Sequence, residues 1–170
     1  MLKPFSTNAD YLAELRSLLA LHRLWVVGRG ESPEADAIRD ASDRTWYALS
    51  ENEKERLRGL SEDLNTICDY VAEQQTLDMN PQAQARLIEA EEARRNGEWD
   101  RSLELMRKIG SYLAPAVLAN IRGVIWSSAG DHQTAEVFFQ HAASLEPSNG
   151  QCKNSIIDGI LAVPREVGSV

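Results

Sequence analysis

Three histidines and two cysteines are the residues of this sequence best suited to catalysis or metal binding. His22 lies on an apolar helix face without an acidic partner one turn away, which favours a packed or interfacial histidine. His132 and His141 bracket one predicted helix at a separation that is not a metal-ligand spacing. Cys68 lies beside an apolar helix stripe, which is typical of a small buried hydrophobe. The sequence therefore predicts no catalytic residue, no metal site and no cofactor.

Two further motifs could bind a ligand or transfer protons. Gly28-Arg29-Gly30 begins like a dinucleotide-binding loop, but a helix precedes it and Pro33 stands in place of the third glycine. Glu89, Glu91 and Glu92 could form paired carboxylates. Solvated helical ion pairs explain them better, because three arginines lie one helical turn away. These are Arg86, Arg94 and Arg95.

The charge balance bears on the partners of the chain. Its 170 residues carry a net charge of −8, so no overall positive field attracts nucleic acid or anionic lipid. The one locally basic region is diluted by Glu98, Asp100 and Glu104. It consists of Arg94, Arg95, Arg101, Arg107 and Lys108. We therefore expect a protein or peptide partner, with no nucleic acid and no membrane.

Cysteine usage and hydropathy bear on the compartment. Cys68 and Cys152 are too few for a disulfide framework, which favours a reducing cytoplasm. The most apolar stretch, residues 18–27, contains His22 and Arg23 and cannot be a membrane span.

Helix signals occur throughout the chain, whereas strand signals are nearly absent. Residues 1–80 form the predicted N-terminal helical region. Its first helix is capped by Thr7 or Asn8 and ends near Gly28. Residues 32–34 (Ser-Pro-Glu) start a second helix, and the capping box of residues 50–53 starts a third. The third helix has a single apolar face formed by Leu57, Leu60, Leu64, Ile67 and Val71.

A repeat follows Pro81. Gly97 and Gly130 are 33 positions apart, and each precedes an acidic residue and then a helix. The register places small residues where two helices approach closely, and larger residues where neighbouring hairpins pack. The matched pairs are Ala90 with Gly123, Ala93 with Trp126, Ser102 with Ala135, Met106 with Phe139, and Ile109 with Ala142.

These residues resemble the tetratricopeptide repeat (TPR) over about residues 83–163. The second unit, about 116–149, matches best through Gly123, Trp126, Gly130, Asp131, Ala135, Phe139, Ala142 and Pro147. It departs from the family at Ala119 and Arg122, and the first unit, about 83–115, departs at Glu89 and Pro115. The resemblance implies an all-α fold in which TPR-type antiparallel hairpins in residues 81–170 stack with the N-terminal helical region. It also implies a capping helix at about 149–163.

The resemblance further implies a peptide-binding groove lined by the first helix of each repeat. Its residues would be Leu87, Glu91, Arg94, Asn120, Val124 and Ser127, with Gln84 and Val117 beside them. The family's clamp for C-terminal carboxylates needs lysines and asparagines. Only Asn120 is of that type, while Leu87 and Glu91 occupy clamp positions, so that ligand is not expected.

The sequence thus predicts a non-enzymatic interaction protein that binds a peptide or partner helix in this groove. Two alternatives stay open. One is a small acidic secretion-type chaperone. The other is a regulatory or enzymatic role of the N-terminal helices, with His22 or Cys68 as the chemical group.

The broad apolar surface of the first helix needs neighbours on more than one side. Either the repeats cover it, in which case the helix around Leu15, Leu19 and Trp25 could fill the groove, or a homodimer forms through the N-terminal helices. The segment of residues 34–60 also resembles a helical stretch of bacterial proteins, which implies a bacterial source.

Overall fold

The computed structural model describes residues 5–68 and 76–145 of the chain. These residues form seven α-helices and no strand, so the predicted all-α class is confirmed. In chain order the helices are α1 (Ala9–Val26), α2 (Pro33–Ala48), α3 (Glu51–Cys68), α4 (Pro81–Arg95), α5 (Trp99–Ile109), α6 (Pro115–Ser128) and α7 (His132–Leu145). Helices α1–α3 belong to one compact unit and α4–α7 to a second.

The helices of the N-terminal unit start at the predicted capping residues. The Asn8 side chain accepts a backbone N–H of the first turn of α1 at 3.0 Å, and Ser32 Oγ does the same for α2 at 3.3 Å. Before α3, the Ser50 N–H donates to Glu53 Oε2 at 3.0 Å, and the Glu53 N–H donates to Ser50 Oγ at 3.4 Å. Each side chain thus satisfies a backbone donor that the helix itself leaves unpaired.

The core of this unit forms where α1 packs against α2 and α3. Leu15 and Leu19 of α1 are buried, as are Leu57, Leu60 and Leu64 of the predicted apolar face of α3. That face continues into the half-buried Ile67, whereas Val71 lies outside the described residues.

Three glycines end helices in the left-handed conformation. Their φ angles are 74° at Gly28, 77° at Gly97 and 85° at Gly130, values that a side chain makes costly. Behind Gly97, the Glu98 N–H donates to the Ala93 carbonyl at 2.8 Å, and behind Gly130 the Asp131 N–H donates to the Trp126 carbonyl at 3.0 Å. Both bonds belong to the Schellman cap, and the predicted turns are confirmed at all three positions.

Helices α4 and α5 form one hairpin and α6 and α7 a second, and α5 packs against α6. In the first hairpin Ser102 Oγ donates to the Ala90 carbonyl at 2.8 Å, and both residues are 1% exposed. In the second, a Cβ added to Gly123 would lie 2.6 Å from Cε1 of Phe139. Small residues therefore permit a close approach within each hairpin, as the register predicts.

The structure differs from the predicted register at one pair. Met106 is fully buried, but its counterpart Phe139 is 36% exposed, and Phe138 is the buried aromatic of α7. The reason is that the Phe139 ring packs against Gly123 of its own hairpin. Pro147 and the predicted capping helix at about 149–163 lie outside the described residues.

Candidate functional site

The candidate site lies on α4 and α6, the first helices of the two hairpins. Arg94 connects them, because its Nη1 donates to Ser128 Oγ at 3.1 Å. On each helix, residues spaced three or four positions apart lie on the same side. The residues chosen on α6 are those 33 positions after the residues chosen on α4. We call this surface the repeat face. It comprises Gln84, Leu87, Ile88, Glu91 and Arg94 of α4, and Val117, Asn120, Ile121, Val124 and Ser127 of α6.

The residues predicted to line the groove differ in accessibility. Leu87 is 8% exposed and belongs to the core of its hairpin. Asn120, Val124 and Ser127 are half-buried, which leaves part of each side chain on the surface. Glu91 and Arg94 of α4 are half-buried as well, so both helices supply accessible side chains to the predicted groove.

Glu91 and Arg94 form an ion pair on the repeat face. Arg94 Nε and Nη2 donate to the two carboxylate oxygens of Glu91, each at 2.7 Å, and Arg95 Nε donates to Glu91 Oε1 at 2.7 Å. Burial would raise the pKa of Glu91, but the hydrogen bonds and charges of the two arginines outweigh it and lower this pKa. The hydrogen bonds from Arg94 to Glu91 likewise raise the pKa of Arg94. Arg94 is thus already neutralised and also connects two helices.

Two groups on the repeat face are available to a ligand. Ile88 is an apolar side chain of α4 that is 42% exposed. The side-chain amide of Asn120 forms no hydrogen bond with any residue that the structure describes. Sequence reasoning missed Ile88, although the spacing of 33 positions makes it equivalent to Ile121 of α6.

The basic region is paired with acids. The helical ion pairs expected for Glu91 are confirmed. Glu89 instead pairs with Arg101 of α5 at 2.6 Å, and Arg101 also reaches Glu98 at 3.1 Å. These exposed pairs are weak individually, but they disperse the positive charge.

None of the histidines or cysteines belongs to the residues that define the repeat face. His132 is exposed, with Nδ1 at 3.4 Å from Ser127 Oγ, and His22 is half-buried. Burial lowers the pKa of the half-buried His141, and the charge of Arg122 lowers it further. Cys68 is the last residue of α3, and Cys152 lies outside the described residues. Within residues 5–68 and 76–145, no three His, Cys, Asp or Glu side chains cluster in a way that could hold a metal ion.

The Gly-Arg-Gly segment connects α1 to α2. Gly28 ends α1, Arg29 pairs with Glu34 at 2.7 Å, and the Gly30 carbonyl accepts a bond from Arg39 Nη2 at 2.6 Å. Its polar groups thus stabilise the start of α2.

Comparison of the chain with models of protein families, with curated proteins and with solved structures finds no match. The TPR resemblance accordingly rests on the residues of the two hairpins. Of the helices described, none has the length and apolar character needed to cross a membrane.

Proposed function

We propose that the chain is a non-enzymatic interaction module that binds a protein segment, either a peptide or a partner helix, on the repeat face. Two observations carry the proposal: the Ile88 side chain is apolar and exposed, and the side-chain amide of Asn120 forms no hydrogen bond with any described residue. An apolar anchor supplies affinity, and an amide on the same face fixes the register of a bound backbone.

The charge of the chain supports a polypeptide partner. With a net charge of −8, neutral or basic segments are favoured over anionic polymers. The proposal includes a cytoplasmic location and a bacterial source, both of which rest on the sequence.

Arg94 has a structural part in this proposal. Arg94→Glu would place a second carboxylate against Glu91 and remove the bond to Ser128, so it would disturb α4 and α6 directly. Asn120 is the cleaner probe, since the loss of its amide leaves none of the described residues without a hydrogen-bond partner.

The test selects peptides from a random display library on the full-length chain and measures their Kd by calorimetry. We expect Asn120→Ala and Ile88→Ser each to weaken binding by roughly tenfold, with little change in the thermal midpoint. Asn65→Ala, at an exposed asparagine of α3, is the matched control and should leave Kd unchanged.

Two results would count against the proposal. One is that no peptide is selected at micromolar affinity or better. The other is that Asn120→Ala lowers the thermal midpoint and leaves Kd unchanged, which would mean that another segment of the chain, such as the first helix, already occupies the face.

A further inference from the structure

The N-terminal unit contains a cavity that the proposed function does not use. Its volume is about 460 Å³, and its lining comes from α1, α2 and α3 alone. Cavities of this size accommodate small organic molecules.

The cavity has an apolar side and an aromatic side. Leu18 and Leu21 of α1 and Leu57 of α3 supply the aliphatic surface, and Trp46 of α2 supplies an indole ring. The guanidinium carbon of Arg58 lies 5.5 Å from the centroid of that ring. The leucines and the indole ring therefore supply surface for an apolar body, and Arg58 already lies over one face of that ring.

Two carboxylates line the cavity, and Glu14 is the buried one, since Asp43 of α2 is exposed. Glu14 of α1 lines it and is only 7% exposed. The hydroxyl of Thr45 on α2 donates a hydrogen bond to Glu14 Oε1. A carboxylate can accept several hydrogen bonds, so one hydroxyl leaves most of its capacity unused.

The two arginines of the cavity do not neutralise Glu14. Arg39 donates from Nη1 to Asp36 at 2.8 Å and from Nη2 to the Gly30 carbonyl at 2.6 Å, while Arg58 lies over Trp46. Across residues 5–68 and 76–145, no lysine, arginine or histidine forms an ion pair with Glu14. Buried charges are costly unless they are paired, so a cation in the cavity would remove this cost.

We propose that this cavity binds a small organic cation whose ammonium or guanidinium group pairs with the Glu14 carboxylate. Its apolar body would contact the three leucines and Trp46. The proposal is independent of peptide binding on the repeat face, because the two sites share no residue.

The test uses the full-length chain and a matched pair of probes, 2-phenylethylamine and 2-phenylethanol, followed by NMR titration of the Trp46 indole N–H. The two probes share an apolar body and differ in charge. We expect the amine to bind at least tenfold more tightly than the alcohol. Equal affinity, or no saturable shift with either probe, would overturn the proposal.

The variant Glu14→Gln keeps the shape of the side chain and removes its charge. It should weaken binding of the amine by roughly tenfold and leave the affinity for the alcohol unchanged. The control Glu62→Gln, at an exposed glutamate of α3, should change neither affinity. An unchanged amine affinity in Glu14→Gln would contradict the proposal. If Glu14→Gln fails to fold, Ser61→Phe provides the second variant, since Ser61 lines the cavity and a phenyl ring there would block both probes.

A further titration identifies the source of the cation. The peptide acetyl-Leu-Lys-Leu-amide presents an ammonium group on a side chain. Binding of the peptide at least tenfold tighter than the amine, with the same dependence on Glu14, assigns the cation to a basic side chain of a partner. Equal or weaker binding assigns it to a free small amine.

Discussion

At the scale of single residues, Glu53 connects the starts of two helices. Its carboxylate accepts bonds from the backbone and hydroxyl of Ser50, from Ser6 Oγ at 2.8 Å, and from the Asn8 side-chain amide at 3.2 and 3.3 Å. Burial raises the pKa of Glu53, but these hydrogen bonds outweigh it and the pKa is lowered. One side chain thus fixes α3 and holds the capping residue of α1 in place.

Glu53→Ala should lower the free energy of unfolding by roughly 1–2 kcal/mol, because it removes the capping box and the bonds to the start of α1. Urea denaturation at about pH 7 measures this, with Glu55→Ala at an exposed position of the same helix as the control.

The same substitution has a defined pH dependence. Because the pKa of Glu53 is lower in the folded chain than its usual 4.5, its contribution is present above that value and is lost as the pH falls through the folded pKa. The difference between wild type and Glu53→Ala should therefore shrink progressively as the pH is lowered below 4.5. A difference that stays constant with pH would show that the carboxylate charge plays no part.

What could be predicted at this scale depended on distance along the chain. The capping box can be recognised in the sequence because Ser50 and Glu53 lie within one helical turn and their residue types alone identify the motif. The bond between Ser6 and Glu53 joins residues 47 positions apart, and that between Thr45 and Glu14 joins residues 31 apart. Contacts between residues so far apart leave no periodic pattern in the sequence. The cavity in the N-terminal unit could therefore be recognised only from the tertiary structure.

At the scale of helices, the hairpins are where sequence reasoning succeeded most. Gly97 and Gly130 end α4 and α6 with the same bonding pattern, and a left-handed turn favours glycine strongly. The 33-residue repeat register predicted the burial of large side chains less reliably. Phe138 and Phe139 are adjacent, and only the observed packing against Gly123 distinguishes the buried ring from the exposed one.

Ala135→Leu tests the packing of the second hairpin. Ala135 is 2% exposed in α7, so the added volume should overpack the hairpin and cost roughly 1–3 kcal/mol. Ala143→Leu is the control, because Ala143 is an exposed alanine of the same helix. Thermal unfolding followed by circular dichroism compares them, and equal midpoints for the two variants would rule out a close approach at Ala135.

At the scale of the whole molecule, the notable surface is at the C-terminal end of α1. Trp25, Val26 and Val27 are 54%, 61% and 66% exposed, whereas leucines fill the core of the unit. Adjacent exposed apolar side chains often mark an interaction surface. A homodimer through the N-terminal helices, one of the two alternatives that the sequence leaves open, would bury this patch.

We therefore expect the chain to self-associate with increasing concentration, which light scattering coupled to size-exclusion chromatography measures. The double substitution Val26→Ser and Val27→Ser should shift the equilibrium to the monomer. Ile88→Ser, which removes an exposed apolar side chain from the other unit, should leave it unchanged. A wild-type chain that stays monomeric at the highest concentration tested would exclude this dimer.

The close contact between Ser102 and Ala90 also bears on how fast the protein folds. These residues are 12 positions apart, and the chain between them contains a single glycine turn. Closing so short a loop loses little entropy, and folding rates rise as contacts become more local. Each hairpin can thus form before the chain searches for distant partners, so the slow events in folding belong to contacts such as those of Glu53 and Glu14, which close much longer loops.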